Sequence, residues 1–183
     1  MQDLKNYFIA IDREYKEGDV AVFRQKFSGE NVVSAVLYST ALGVYEAELN
    51  GKKAGEQMFA PGYTYYPRRV LYQEHDVTAF LNTGSEENEL VFYLGQGWYC
   101  GRFLCENQTH GEKPAVSWIL QLKFADGSEK EIHSGIDVDE LESPYEYAGE
   151  YDGEIYFADG RNNVIGNPVA YTGTTDFALE KTL

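Results

Sequence analysis

The chain has 183 residues, enough for one domain with a substantial core, and its hydrophobic fraction of 43% is that of a globular protein. A formal net charge of −15 neutralises no phosphates and repels anionic lipid, which excludes nucleic acid and membrane surfaces as partners. With 15 Tyr, 10 Phe and 18 Gly, the composition favours strands and turns over helices.

Residues 1–19 give only a weak pattern and read as an N-terminal lead-in. "MQDLKNYFIA" has neither the charged start nor the apolar centre of an export signal, so a cytoplasmic location is the expectation. No apolar run approaches the length of a membrane span. "VAVFRQKF" (Val20 to Phe27) reads as a strand. "NVVSAVLYSTAL" is a nearly continuous apolar run suited to a strand buried on both faces. In "VYEAELNGKKAG", Tyr45, Ala47 and Leu49 share one face and Glu46 and Glu48 the other. Asn50-Gly51 then supplies the positive φ angles of a tight hairpin. "RVLYQEHDVTAFL" runs from a strand into one helical turn, with Asp76 or Thr78 as its cap.

"NTGSEENELVFYLG" is a polar loop feeding a strand in which Leu90, Phe92 and Leu94 alternate. The strongest pattern is "VSWILQLKF". Val116, Trp118, Leu120, Leu122 and Phe124 share a face, and Ile119 is the one apolar exception opposite. Asp126-Gly127 makes the next turn, and "SEKEIH" returns as an antiparallel partner. Many short strands joined by Gly, Asn and Asp turns define an all-β jelly-roll or sandwich over residues 20–160, with at most one or two short helical turns. After Ser143 the texture becomes Tyr and acid with little alternation, and residues 161–183 read as a linker or the start of a following domain.

Candidate chemistry is sparse. Cys100 and Cys105 stand without a zinc-type ligand pattern, and free thiols are expected. His75, His110 and His133 stand alone. "DVDELE" (Asp137 to Glu142) lacks the glycine of a calcium loop and reads as an exposed strand end, with calcium the weaker reading and no other cofactor or metal implied. Glu146, Glu150, Asp152 and Glu154 could suggest a glycosidase pair, but an acid-rich chain generates such clusters as solvated faces. Arg68-Arg69 is placed to pair with surplus acids.

The "YLGQGWYCGRF" stretch (Tyr93 to Phe103) sets bulky side chains among glycines. Gly95, Gly97 and Gly101 can take positive φ and so aim Trp98. Trp98 either plugs one end of the sandwich or faces outward as a stacking platform for a sugar, with Tyr99 and Arg102 as polar helpers. Tyr63, Tyr65 and Tyr66, after Pro61-Gly62, either stack on a sugar or wrap a loop over the sandwich edge. The abundance of aromatics in cores favours plugging and wrapping.

Four stretches, "TALGVYEAELNGKKAG", "APGYTYYPRRVLYQEHDVTAFL", "LGQGWYCGR" and "YDGEIY", occur in the order found in bacterial α-L-rhamnosidase N-terminal domains, and the chain resembles that family from about Val20 to Asp159. The resemblance implies a galactose-binding-like jelly roll that precedes a helical catalytic barrel absent from this chain. It also implies a non-catalytic module that buttresses the barrel and shapes the substrate entrance, with the enzyme's other domains as partner. An independent carbohydrate-binding module for rhamnose-containing glycans is the alternative, with Trp98, Tyr99, Arg102, Tyr63 and Tyr65 as its candidate contacts. Tyr151, Asp152, Glu154 and Tyr156 match the family where the module meets its next domain and are expected in an interdomain contact. The sequence departs from the family pattern at Tyr63 (usually Trp), Tyr65 (often an acid), Gln96 (Asp) and Phe157 (Asp). Gln96 in place of the acid argues against a sugar or calcium site there.

Overall fold

The computed structural model describes residues 2–107 and 110–182, so that Met1 and Leu183, at the outer ends of the two expected flanking segments, lie outside the described residues. In chain order, a 3-10 turn (Gln2–Tyr7) precedes β1 (Ile9–Ala10), β2 (Ala21–Ser28), β3 (Val32–Leu42), β4 (Val44–Leu49), β5 (Lys52–Lys53) and β6 (Arg69–Asp76). A second 3-10 turn (Thr78–Phe80), β7 (Glu87–Gly95), one helical turn α1 (Gly97–Cys100), β8 (Arg102–Phe103), β9 (Glu106–Asn107) and β10 (Ala115–Phe124) follow. The rest is β11 (Glu129–His133), β12 (Asp139–Leu141), β13 (Tyr145–Gly149), β14 (Gly153–Tyr156), β15 (Val164–Gly166), β16 (Val169–Ala170) and β17 (Ala178–Lys181).

Two sheets carry the core. One runs in the order β16-β1-β10-β3-β6-β17, with β11 also on β10; the other runs β15-β12-β2-β7-β4-β5. The period-2 patterns explain why they face each other. Tyr45, Ala47 and Leu49 of β4 and Leu90, Phe92 and Leu94 of β7 point inward against Leu37 of β3 and Val116, Trp118 and Leu120 of β10. Trp118 and Phe92 stack across the sandwich at 4.4 Å, and the Tyr45 hydroxyl reaches Ser39 Oγ of the opposite sheet at 2.8 Å. The hairpin turn at Asn50-Gly51 takes φ of 54° and 71°, as its sequence requires. Asn50 also donates to the Phe80 carbonyl and to Asn88 Oδ1, both at 2.8 Å, so its side chain is spent on structure. Val77 and not Asp76 or Thr78 holds the N-cap position of the short helical turn, with no side-chain cap; Asp76 Oδ1 accepts the Thr78 backbone N–H at 3.0 Å from one residue earlier.

Three sequence expectations change. Residues 161–182, expected as a linker or the start of a following domain, pack onto the sandwich. β15 pairs with β12, β16 with β1, and β17 lies parallel to β6, while Phe177 is buried edge-on against Phe8 at 6.1 Å. Strands of two to four residues carry too little alternation to be read. Residues 2–19 are likewise built in, with Leu4, Phe8, Ile9, Ala10 and Ile11 buried. Ser117 Oγ donates to the Leu4 carbonyl at 2.6 Å, so the N-terminal turn covers the outer face of β10, and this explains the buried Ile119. Third, "DVDELE" is no exposed strand end: β12 sits between β2 and β15, and Val138, Glu140 and Leu141 are buried. Arg24 holds Asp139 at 2.7 Å, which made an internal strand look like an acidic edge.

Candidate functional site

Loop 54–68 is anchored by its ends and its middle. The Tyr45 N–H donates to the Ala60 carbonyl at 2.7 Å, and Gln73 Nε2 donates to the Pro61 carbonyl at 3.2 Å. Held this way, the loop turns Tyr63 and Tyr65 outward and Tyr66 inward, the last packing edge-on against Tyr99 at 5.2 Å. The "GQGWYCGR" stretch forms α1 instead of a plain turn. Gly97 alone of its three expected positive-φ glycines has φ of +50°, and a Cβ there would lie 2.8 Å from the Val44 side chain. Gly101 is extended, but a Cβ on it would lie 2.4 Å from the Gly97 carbonyl oxygen, so its role is room and not a left-handed turn.

The helical turn sends its aromatics to different sides. Tyr99 is buried, its hydroxyl 2.7 Å from that of Tyr171, and so it is not an outward polar helper for a sugar. Trp98 is half-buried. It packs inward on a buried cluster that includes Leu42, Tyr66, Tyr99 and Phe177, and outward against Phe59 (6.0 Å) and Tyr63 (5.9 Å, edge-on). Phe103, on the β8–β9 hairpin, stacks on Tyr63 at 5.5 Å with the planes 7° apart. Phe59, Tyr63, Trp98 and Phe103 thus form one aromatic surface, bordered by Met58, Tyr65 and Leu104, all exposed. Phe59 and Leu104 have φ of 55° and 56°, a left-handed conformation that bulky residues rarely adopt. Gln96 lies beneath. Its Oε1 accepts the Tyr15 hydroxyl at 2.9 Å and the Gly18 N–H at 3.0 Å, so it is a buried structural residue and not a ligand.

Arg102 and Asp152, expected in two different sites, are partners. Arg102 donates to both carboxylate oxygens at 3.0 Å and lies 5.0 Å over the Tyr151 ring, while the Tyr147 hydroxyl donates to Asp152 at 3.2 Å. This clasp ties the β8–β9 hairpin to the β13–β14 hairpin. The second hairpin is seated on Gly18, whose carbonyl accepts the Ala148 N–H at 2.8 Å and whose missing Cβ leaves room for the Tyr147 ring. Beside it, Glu150 has one carboxylate oxygen buried without a hydrogen-bond partner, and burial raises its pKa above the ordinary carboxyl value.

The other two members of the expected interdomain set, Glu154 and Tyr156, face a different feature. A groove of about 360 Å³ separates the β13–β14 hairpin from the outer face of β4 and β7. Glu46, Glu48 and Tyr93 form its floor, and Tyr145, Glu154 and Tyr156 its wall. The three tyrosines make a chain of edge-on contacts, Tyr93–Tyr145 at 6.4 Å and Tyr145–Tyr156 at 5.2 Å. Lys53 is tied to Glu46 by an ion pair. Burial raises the Glu48 pKa, and it pushes the Tyr93 hydroxyl up to about 12. The sequence placed Glu46 and Glu48 on the outer face of their strand, but nothing local announced that a hairpin a hundred residues on would roof them.

Among the described residues no three His, Cys, Asp or Glu side chains converge as a metal site. Cys100 is buried and Cys105 exposed, both unpaired.

The fold and its exposed hairpin-and-aromatic face define a β-sandwich module. The sequence model described as "Alpha-L-rhamnosidase N-terminal domain" matches residues 30–168, and the chain belongs to that family. An α-L-rhamnosidase of Streptomyces avermitilis is 40% identical over 138 residues, which are 75% of this chain but only 13% of that protein. The crystal structure of an α-L-rhamnosidase from Aspergillus terreus superposes with a TM-score of 0.82 at 30% identity, covering 94% of this chain and 22% of the other. The Streptomyces avermitilis enzyme complexed with L-rhamnose superposes at 0.71 and 32% identity, covering 84% and 17%. The chain therefore spans about an eighth to a fifth of the length of these relatives.

Proposed function

We propose that the chain is a non-catalytic accessory domain of an α-L-rhamnosidase-type glycoside hydrolase, and that it works by packing against the enzyme's other domains. The observation that carries this reading is the aromatic surface of Phe59, Tyr63, Trp98 and Phe103. Two bulky residues on it, Phe59 and Leu104, are exposed in strained left-handed backbone. Strain of this kind persists where the surrounding structure and its use maintain it, and an exposed apolar patch marks an interaction surface. The Arg102–Asp152 clasp fixes the hairpin at its border, and it occupies the acid that an acid–base pair would draw on. The small share of the relatives that this chain covers supports a role as one part of a larger enzyme.

The test is a double substitution, Tyr63→Ser with Phe103→Ser, made in the isolated chain and in the full-length protein that carries it. The reading expects a larger loss of melting temperature in the full-length protein than in the isolated chain. Equal losses in both would show that the surface serves this domain alone.

A further inference from the structure

We propose that the groove between the β13–β14 hairpin and the outer face of β4 and β7 is a binding site for a single neutral pyranose ring. Its size is the first argument. At about 360 Å³ it lies at the small end of ligand pockets, which run roughly 300–1,000 Å³, and so suits one sugar ring and not an extended chain. Its lining is the second. Tyr93, Tyr145 and Tyr156 offer ring faces and edges for the apolar C–H faces of a pyranose and hydroxyls for its polar rim. Glu48 and Glu154 accept from sugar hydroxyls, and a hydrogen bond to a charged acceptor is the stronger kind. Charge is the third. Three glutamates face the groove and Lys53, the cation lining it, is held by Glu46. A site of that sign rejects uronates and phosphorylated sugars and admits uncharged ones. Burial also raises the Glu48 pKa, as expected of a carboxyl partly withdrawn from water.

Met58 and Phe59 of the aromatic surface also border this groove, and the assignment rests on Glu48, Tyr93, Tyr145, Glu154 and Tyr156. It rests on the accessory-domain reading only in the choice of L-rhamnose as probe, and it is tested separately from it. The experiment follows amide chemical shifts of the labelled chain while L-rhamnose is titrated in, with D-galacturonate as the charged control. Expected are saturable shifts at residues 46–48, 93 and 145–156, and none from D-galacturonate at the same concentrations. Glu48→Ala and Tyr156→Ala should each weaken binding about tenfold, the loss of one good hydrogen bond or stacking contact, with the other resonances unchanged. Tyr156 is 55% exposed, so that variant keeps its fold even if the Glu48 variant does not. The proposal is overturned by the absence of saturable shifts, by equal shifts from D-galacturonate, by shifts centred on Tyr63 and Trp98, or by affinity unchanged in the Tyr156 variant. These outcomes are read at residues 46–48, 93 and 145–156 of the isolated chain, whereas the docking surface is read from Tyr63 and Phe103 in the full-length protein's stability.

Discussion

Leu104→Gly should leave the stability of the isolated chain nearly unchanged. Leucine-to-glycine changes in an ordinary buried strand position, such as Leu37, should cost more than about 3 kcal/mol. Leu104 is 69% exposed and has φ of +56°, whereas Leu37 is fully buried. A left-handed residue with a Cβ carries about 1–2 kcal/mol of strain, which glycine removes. Glycine adds about 0.5–1 kcal/mol of unfolded-state entropy. Burying a whole leucine side chain is worth about 1.5–3 kcal/mol, so the third of Leu104 that is covered contributes under about 1 kcal/mol. The three effects nearly cancel, and the variant should fall within about 1 kcal/mol of the parent. The Leu104 N–H, which donates to the Tyr151 hydroxyl at 3.4 Å, survives the change. Urea unfolding followed by tryptophan fluorescence, with linear extrapolation, measures the difference. A loss above about 2 kcal/mol would mean that Leu104 is held by packing within this domain, and the argument from exposed strain would fail.

Other changes read other parts of the account. Gln96→Ala strips the acceptor from the buried Gly18 N–H and the Tyr15 hydroxyl, and should cost about 2–4 kcal/mol in the same unfolding assay; a cost below about 1 kcal/mol would contradict the buried structural role. Trp98→Ala, at a half-buried site, should cost about 1–2 kcal/mol, whereas Trp118→Ala in the fully buried stack on Phe92 should cost about 3–5 kcal/mol; reversal of that order would misplace the core. Glu150 has a folded-state pKa raised by burial, so the folded chain holds its proton more tightly than the unfolded one. Its contribution is therefore intact below the ordinary carboxyl range and is lost as pH rises through the raised value. Glu150→Gln should then raise the melting temperature at pH 7 and leave it unchanged near pH 4, and a gain that is equal at both would refute the titration.

Long strands were legible because a period of two repeats enough times to be unmistakable. Val116 to Leu122 and Tyr45 to Leu49 each show it, and the hairpins at Asn50-Gly51 and Asp126-Gly127 declare themselves by residues that tolerate positive φ. The short strands after residue 161 were not legible, since Val169–Ala170 and Val164–Gly166 are defined by their partners and not by their own pattern. Ile119 looked like an exception because the turn that covers it lies a hundred residues earlier. The site divides in the same way. Trp98, Tyr63 and Arg102 stood out through glycine spacing and aromatic density, and the structure brings Trp98 and Tyr63 together. The direction of Tyr99 depends on one helical turn replacing an expected bend, and its partner Tyr171 lay in the stretch read as a linker. The pairing of Arg102 with Asp152 joins residues fifty apart, and the groove joins four separate stretches. Neither has a local signature.

The central claim is that the aromatic surface of this domain is covered in the working enzyme. Amide hydrogen exchange compared between the isolated chain and the full-length protein that carries it measures this most directly. The account predicts slowed exchange in the full-length protein at residues 58–65 and 98–104, with the sandwich strands β3 and β10 unchanged. Equal exchange at 58–65 and 98–104 in the two proteins would contradict it.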